Sequence, residues 1–202
     1  MASYFGLTGG VASGKSTAAR MFEVLGARII DADRMGHECL HATAPTYPDI
    51  VKTFGNAILD ASGAIDRRQL GAMVFADPEK LRQLNAIVHP HIIARVDELA
   101  SRYQAESPGA VIVVDAALIF EAGIGGHFAK IVVAWCRPEQ QVERLMAKTG
   151  LSRAEAEQRI ASQLPADEKR RRADYVINCS GSLEQTRAQV EAVYAELKGL
   201  VV

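Results

Sequence analysis

A glycine-rich segment near the N-terminus constrains this chain more than any other. Residues 9–16 read Gly-Gly-Val-Ala-Ser-Gly-Lys-Ser and match the phosphate-binding pattern G-x-x-x-x-G-K-[S/T]. An apolar run precedes the segment and a helical pattern follows it, as the motif requires. A glycine-rich turn that binds no ligand is the alternative, and this strand and helix context argues against it.

The parts of this segment suit a nucleoside triphosphate. Glycines allow φ > 0 and close approach of a ligand, and a helix beginning near Gly14 points its N–H groups at an anion. Lys15 supplies a positive charge for the β- and γ-phosphates, and the Ser16 hydroxyl is placed to bind Mg²⁺. We therefore predict that ATP is bound by Gly10, Val11, Ala12, Ser13, Gly14, Lys15, Ser16 and Thr17.

Short apolar runs alternate with helical patterns along the chain. The predicted strands are residues 4–8, 27–31, 110–115, 130–135 and 175–178. Nearly continuous apolar runs are typical of parallel strands covered on both faces, so we predict an α/β fold of three layers with a parallel five-stranded sheet. Ligands of such sheets bind outside the carboxyl ends of the strands. The strand-end residues expected along that edge are Gly9, Asp31, Asp33, Asp115 and Asn178.

The interval between the second and third predicted strands is unusually long. It covers residues 32–109, whereas a crossover connection needs only about a dozen. Its pattern is helical, and its longest helix should begin with an N-cap at Asp77 and a kink at Pro90. We predict an inserted helical subdomain that covers the site and binds the second substrate.

Charged and capping residues mark the region after the fourth strand. A helix should end at Gly150, and Ser152 begins the next one, on which Arg159 and Gln163 are expected to share a face. The basic run at residues 169–172 is most typical of a solvated helix face. A lid that closes on phosphates and a nucleic-acid patch are the alternatives.

Composition excludes several classes of protein. The net charge of −1 gives no general attraction to nucleic acid, and no apolar run approaches the roughly 20 residues of a membrane span. The first strand begins after three residues, which leaves no room for a targeting segment. The odd number of cysteines, Cys39, Cys136 and Cys179, fits a reducing cytoplasm better than disulfides. We expect a cytoplasmic protein with neither nucleic acid nor membrane as partner, and its oligomeric state is open.

Three classes of protein share the phosphate-binding loop. A GTPase would need an Asn-Lys-x-Asp motif, which is missing, and a motor or transporter ATPase would need a Glu after Asp115. A small-molecule kinase needs a carboxylate near the acceptor hydroxyl and arginines for the transferred phosphate. Asp33, Arg144 and Arg159 meet those needs, and with Lys15 they favour a kinase. A nucleotide-binding regulator without turnover is the alternative from another class.

Motifs along essentially the whole chain make it resemble the dephospho-CoA kinases. The motifs that carry the resemblance are Gly9-Gly10 with Gly14-Lys15-Ser16-Thr17, Ile30-Asp31-Ala32-Asp33, Arg67 with Val74-Phe75, Leu84-Asn85 with His89-Pro90, Leu118-Ile119-Phe120-Glu121, Arg144-Leu145, Arg159 with Gln163, and Ala173-Asp174-Tyr175-Val176-Ile177-Asn178. The Asp-Ala-Asp and His-Pro elements, in this order, are specific to that family.

The resemblance implies ATP-dependent phosphorylation of the ribose 3′-hydroxyl of dephospho-CoA, the last step of coenzyme A synthesis. It implies Asp33 as the catalytic carboxylate, with Lys15 and Arg144 on the phosphates and Asn178 near the adenine. It also divides the chain into core, coenzyme-binding and lid regions. These are residues 1–31, 110–136 and 173–202 for the core, 32–109 for the inserted region and 137–172 for the lid.

Acceptor binding is assigned to Asp33, Arg67, His89 and Arg159, although His89 has a structural role at the helix kink as its alternative. Asp115 either interacts with Mg²⁺ indirectly, through the groups that bind the ion, or is a simple strand-end acid. The sequence departs from the family pattern where Ala116-Ala117 replaces a usual proline and where Lys148 replaces a common arginine. Because lysine cannot reproduce a bidentate arginine contact, no catalytic role is assigned to Lys148.

Overall fold

The strands of the computed structural model, which describes residues 4–201, form one parallel sheet of five strands in the order β2-β3-β1-β4-β5. They are β1 (Phe5–Thr8), β2 (Arg28–Asp31), β3 (Ile112–Asp115), β4 (Ile131–Trp135) and β5 (Tyr175–Asn178). The predicted parallel five-stranded sheet is confirmed, and every predicted strand ends at the residue where the observed strand ends.

Helices connect the strands as an α/β fold requires. They are α1 (Lys15–Val24), α2 (Ala32–Glu38), α3 (Tyr47–Phe54), α4 (Arg67–Phe75), α5 (Pro78–Glu106), α6 (Pro138–Thr149), α7 (Arg153–Ala161), α8 (Ala166–Arg172) and α9 (Leu183–Leu200). The predicted ends are confirmed at Gly150, whose φ of 72° closes α6, and at Ser152, whose capping box with Glu155 opens α7. None of the helices in the described range has the length and apolar character needed to cross a bilayer.

One of two compact units contains the whole sheet. It comprises the residues up to Asp31 and those from Leu99 onward. Its core joins buried strand residues such as Phe5 and Val132 to Phe22 of α1 and Val190 of α9. The inner strands β1, β3 and β4 are almost entirely buried, which explains why their sequences are apolar without alternation.

The second unit is the helical segment Ala32–Glu98, within the predicted insertion. It has an apolar core of its own, formed by buried residues of α3, α4, α5 and the short turn between α3 and α4: Ile50, Phe54, Ile58, Ile65, Leu70, Val74 and Val88. Asp77 caps α5 as predicted, since its carboxylate accepts the Glu79 N–H at 2.9 Å. The helix contains Pro90 within its length and continues to Glu106.

Candidate active site

The glycine-rich loop connects β1 to α1 at the carboxyl edge of the sheet. Gly14 is the N-cap of α1, with a φ of 104° that side-chain-bearing residues rarely adopt. Its carbonyl accepts the N–H groups of Thr17 and Ala18, both at 3.0 Å. Gly14 has no side chain with which to cap the helix, and the N–H groups of a first turn of this kind suit an anion as their ligand.

Tight packing beneath the loop fixes its shape. A Cβ on Gly9 would lie 2.5 Å from the Ala134 carbonyl oxygen and 2.6 Å from the Ser13 hydroxyl. Ala12 has a φ of 59° and, within residues 4–201, is the one non-glycine residue with positive φ. Backbone strain of this kind clusters at ligand-binding sites. The geometry is that of a rigid loop held in a conformation suited to phosphate.

A lysine–carboxylate pair lies beside the loop. The Lys15 ammonium is bonded to Asp115 at the end of β3, and the two side chains are only 14% and 15% exposed. Asp115 is in register with Leu7 of β1 on one side and with Asp31 of β2 on the other. Asp31 and Asp115 therefore both lie at the carboxyl ends of their strands, where β1 continues into the loop. The pairing with Lys15 therefore makes Asp115 part of the site.

Asp33 follows β2 directly. It lies in the first turn of α2, two residues after Asp31, and its side chain is half-buried. The structure thus gives Asp33 the position after a strand end that the sequence predicted.

Arg144 reaches the end of β5 from α6. Its guanidinium donates to the Cys179 carbonyl at 2.8 Å, and the Cys179 side chain in turn lies against Gly14, where an added Cβ would come within 2.9 Å of the sulfur. Burial raises the pKa of the Cys179 thiol to about 11 and also raises the pKa of the Cys136 thiol. Both cysteines are therefore protonated packing groups, and Arg144 lies close to the loop.

Two glutamines bind the same residue of the loop. The Gln163 side-chain oxygen accepts the Val11 N–H at 2.8 Å, and the Gln141 side-chain amide donates to the Val11 carbonyl at 2.7 Å. The prediction that Gln163 shares a helix face with Arg159 is wrong, because α7 ends at Ala161. The sequence motif of Arg159 with Gln163 included this residue, but no local pattern indicated that its partner would be Val11, far earlier in the chain.

The interpretation of residues 169–172 as a solvated helix face is also wrong for the first of them. Lys169 is fully buried, with its ammonium 2.7 Å from Glu121 and 2.7 Å from the Ala117 carbonyl. Arg170 lies over the Trp135 ring, with 4.7 Å between the guanidinium carbon and the ring centroid. This basic run therefore attaches α8 to the carboxyl edge of the sheet.

Comparison with known proteins agrees with this geometry. The family model described as dephospho-CoA kinase matches residues 3–185. This chain belongs to the dephospho-CoA kinase family. Curated dephospho-CoA kinases from Bacillus licheniformis (94% of each chain covered) and Symbiobacterium thermophilum (94% of this chain, 79% of the relative) are each 45% identical to it. The solved dephospho-CoA kinase from Campylobacter jejuni covers 98% of both chains with a TM-score of 0.67 and 29% identity.

The remaining residues assigned to this kinase site lie at the sheet edge and on the helices. Asn178 ends β5, and its side-chain oxygen accepts the Ser180 N–H at 2.9 Å. In the second unit the Arg67 guanidinium is 2.6 Å from the His37 ring, and His89 lies half-buried in α5. Arg159 is exposed on α7. Their roles in binding stay predictions.

Proposed function

We propose that this chain transfers the γ-phosphoryl group of ATP to the ribose 3′-hydroxyl of dephospho-CoA, yielding coenzyme A and ADP. The family match over residues 3–185 carries the choice of acceptor. The loop geometry supports ATP as the donor, because the cap at Gly14 and the adjacent Lys15 form an anion site at a helix N-terminus.

The chemistry assigns one role to each charged residue. The 3′-hydroxyl oxygen bonds to the γ-phosphorus as the bond from that phosphorus to the β–γ bridging oxygen breaks, and Asp33 accepts the hydroxyl proton. Lys15 neutralises charge on the β- and γ-phosphates, in exchange for its contact with Asp115. Arg144 contacts the transferred phosphoryl group from α6.

Mg²⁺ fits the oxygen donors present at the loop. The exposed Ser16 lies in the first turn of α1, directly after Lys15, and the Asp115 carboxylate lies beside Lys15. Magnesium binds such hard oxygen ligands, typically through one or two protein groups together with phosphates and water. When bound, it supplies positive charge to the phosphates of ATP.

Acceptor recognition is proposed for the helical insertion and the lid. Arg67, His89 and Arg159 contact dephospho-CoA, and Asn178 lies near the adenine of a bound nucleotide. Arg67 supports this role because its contact with His37 orients a cation on a helix N-terminus. Residues 32–109 act as the coenzyme-binding region and 137–172 as the lid. The three thiols, none of them in a disulfide, fit a cytoplasmic enzyme.

The test is ADP release with Mg-ATP against a panel of acceptors: dephospho-CoA, AMP, shikimate and water alone. We expect rapid turnover with dephospho-CoA only. Turnover with another acceptor would retain a P-loop kinase and reject the assigned substrate. If none of the four supported turnover, the result would favour the alternative, a nucleotide-binding regulator without turnover.

The Asp33→Asn variant tests the proton acceptor. We expect ATP affinity to stay near normal while kcat falls by at least ~10²-fold, the range of general-base contributions. Asp49→Asn is the matched control, because Asp49 is an exposed aspartate in the first turn of another helix in the same unit. An undiminished kcat in Asp33→Asn would exclude Asp33 from proton transfer.

A further inference from the structure

Lys169 is buried in a way that its sequence context does not explain. It lies in a run of four basic residues, yet its side chain is 0% exposed. Removing an ammonium group from water is costly unless oxygen atoms replace its hydration. Two oxygens do so, the Glu121 carboxylate and the Ala117 carbonyl, each at 2.7 Å.

The same two acceptors join α8 to other parts of the sheet edge. The Glu121 oxygen that meets Lys169 also accepts the Leu164 N–H at 2.9 Å. The Ala117 carbonyl also accepts the hydroxyl of Thr8, the last residue of β1, at 2.9 Å. This buried anchor, formed by Lys169, Glu121 and Leu164, therefore fixes the segment between α7 and α8 next to the beginning of the glycine-rich loop.

Gln163 directly precedes the anchored Leu164, and its side chain binds the loop. Its oxygen accepts the Val11 N–H, while Gln141 of α6 donates to the Val11 carbonyl. The Val11 side chain packs beside an apolar cluster of α6 and α7 that includes Leu145 and Ala156. Every part of Val11 is thus held by the region that follows β4.

Holding Val11 in this way determines where the next donor points. In a planar trans peptide the C=O and the following N–H point in opposite directions. The bond from Gln141 to the Val11 carbonyl therefore turns the Ala12 N–H to the other side, and Gln163 fixes the preceding peptide in the same manner. Ala12 keeps its strained φ of 59° within this arrangement.

We propose that Gln163 is a positioning residue for ATP, held in place by the buried Lys169–Glu121 pair. It acts through Val11 by fixing the Gly10–Val11 peptide, whose N–H it accepts, so that the next peptide presents the Ala12 N–H to the phosphates; Gln163 has no direct contact with them. The proposal depends on the proposed function in one respect only, namely that ATP binds at the glycine-rich loop. The acceptor could be a different molecule without affecting it.

The test uses Gln163→Met, which keeps the length of the side chain and removes the acceptor. Calorimetric titration with a non-hydrolysable ATP analogue and Mg²⁺ should show about tenfold weaker binding, the typical effect of one lost hydrogen bond. The KM for ATP should rise similarly, with the KM for dephospho-CoA nearly unchanged, and the melting temperature should fall by only about 2–4 °C, as the loss of one hydrogen bond implies. Gln158→Met on the exposed face of α7 is the matched control.

A double-mutant cycle tests the anchor. Lys169→Met combined with Glu121→Gln removes both charges and should weaken nucleotide binding, and adding Gln163→Met to that background should then have no further effect. Additive effects would show that the pair does not act through Gln163. If the paired variant fails to fold, Glu121→Gln alone takes its place in the cycle, because its amide oxygen can still accept the Leu164 N–H but no longer carries the charge that Lys169 binds.

Unchanged or tighter nucleotide binding by Gln163→Met would overturn the proposal, since a tighter complex would mean that the glutamine competes with phosphate for the loop. The proposed function fails separately, if the wild-type protein itself binds no ATP analogue.

Discussion

Replacing Lys169 by methionine should destabilise the fold measurably. Breaking a buried ion pair by removing one partner costs about 3–5 kcal/mol, because the other charge remains without compensation. Here Glu121 is 18% exposed and keeps the Leu164 N–H, and the Ala117 carbonyl keeps the Thr8 hydroxyl. These surviving contacts place the expected loss at the low end of that range, about 3 kcal/mol.

The assay is thermal unfolding followed by far-UV circular dichroism and by the fluorescence of Trp135, the only tryptophan in the chain. In a protein of this size about 1 kcal/mol corresponds to roughly 2–4 °C, so the melting temperature should fall by about 6–12 °C. Trp135 reports on α8 itself, because its indole N–H donates to Asp167 at 3.0 Å and Arg170 lies over its ring.

Lys198→Met is the control for this prediction. Its ammonium also donates to a backbone carbonyl, that of Gly109 at 3.0 Å, but the residue is exposed, so the change should stay within about 0.5 kcal/mol. Adding Glu121→Gln to Lys169→Met should restore much of the stability by removing the uncompensated charge. A loss in Lys169→Met no larger than that in Lys198→Met would refute the reasoning.

Two further predictions concern the glycine-rich loop and the amino end of the sheet, opposite the site. Gly9→Ala should lower the free energy of unfolding by about 1–3 kcal/mol, because the new Cβ would meet the Ala134 carbonyl, a backbone group that cannot move aside. Gly10→Ala should lower it by about 1 kcal/mol, because it displaces only the Gln141 amide. Urea unfolding compares the two variants, and equal losses would contradict the packing argument. For Asp174, burial alone would raise the carboxyl pKa, but the hydrogen bond from Lys130 helps to outweigh it and leaves the pKa below its ordinary value of 3.8. Its stabilising contribution is therefore complete above about pH 4 and is lost as the pH falls through the lowered pKa, so the stability difference between wild type and Asp174→Asn should shrink in acid; a difference independent of pH would exclude this linkage.

Strands buried on both faces and helix ends set by local capping could be predicted from the sequence. Parallel strands covered on both faces have continuous apolar sequences, and β3 and β5 each end at a polar residue, Asp115 and Asn178. The beginning of α7 was equally accessible, because the capping box at Ser152 involves a residue only three positions further on.

Contacts between distant segments could not be predicted in the same way. Lys169 lies among three other basic residues, and only its partners near the end of β3 decide that it is buried. Gln163 was placed on a helix face with Arg159 by its spacing, but the helix ends first and the side chain reaches Val11 instead. Spacing describes neighbours on one element and carries no information about which other element packs against it.

The glycines of the loop show how a correct motif can rest on different physical causes. The sequence argument attributed them to positive φ and close approach together, but of the three it is Gly14 that has a positive φ within the described residues. Gly9 and Gly10 are required by space instead, because a Cβ would meet the Ala134 carbonyl or the Gln141 amide at 2.5 Å. The other positive φ of the loop falls on Ala12, a residue that the motif leaves unspecified. The loop's shape is therefore imposed partly by the packing beneath it and by the glutamines that bind Val11, and not by glycine conformational freedom alone.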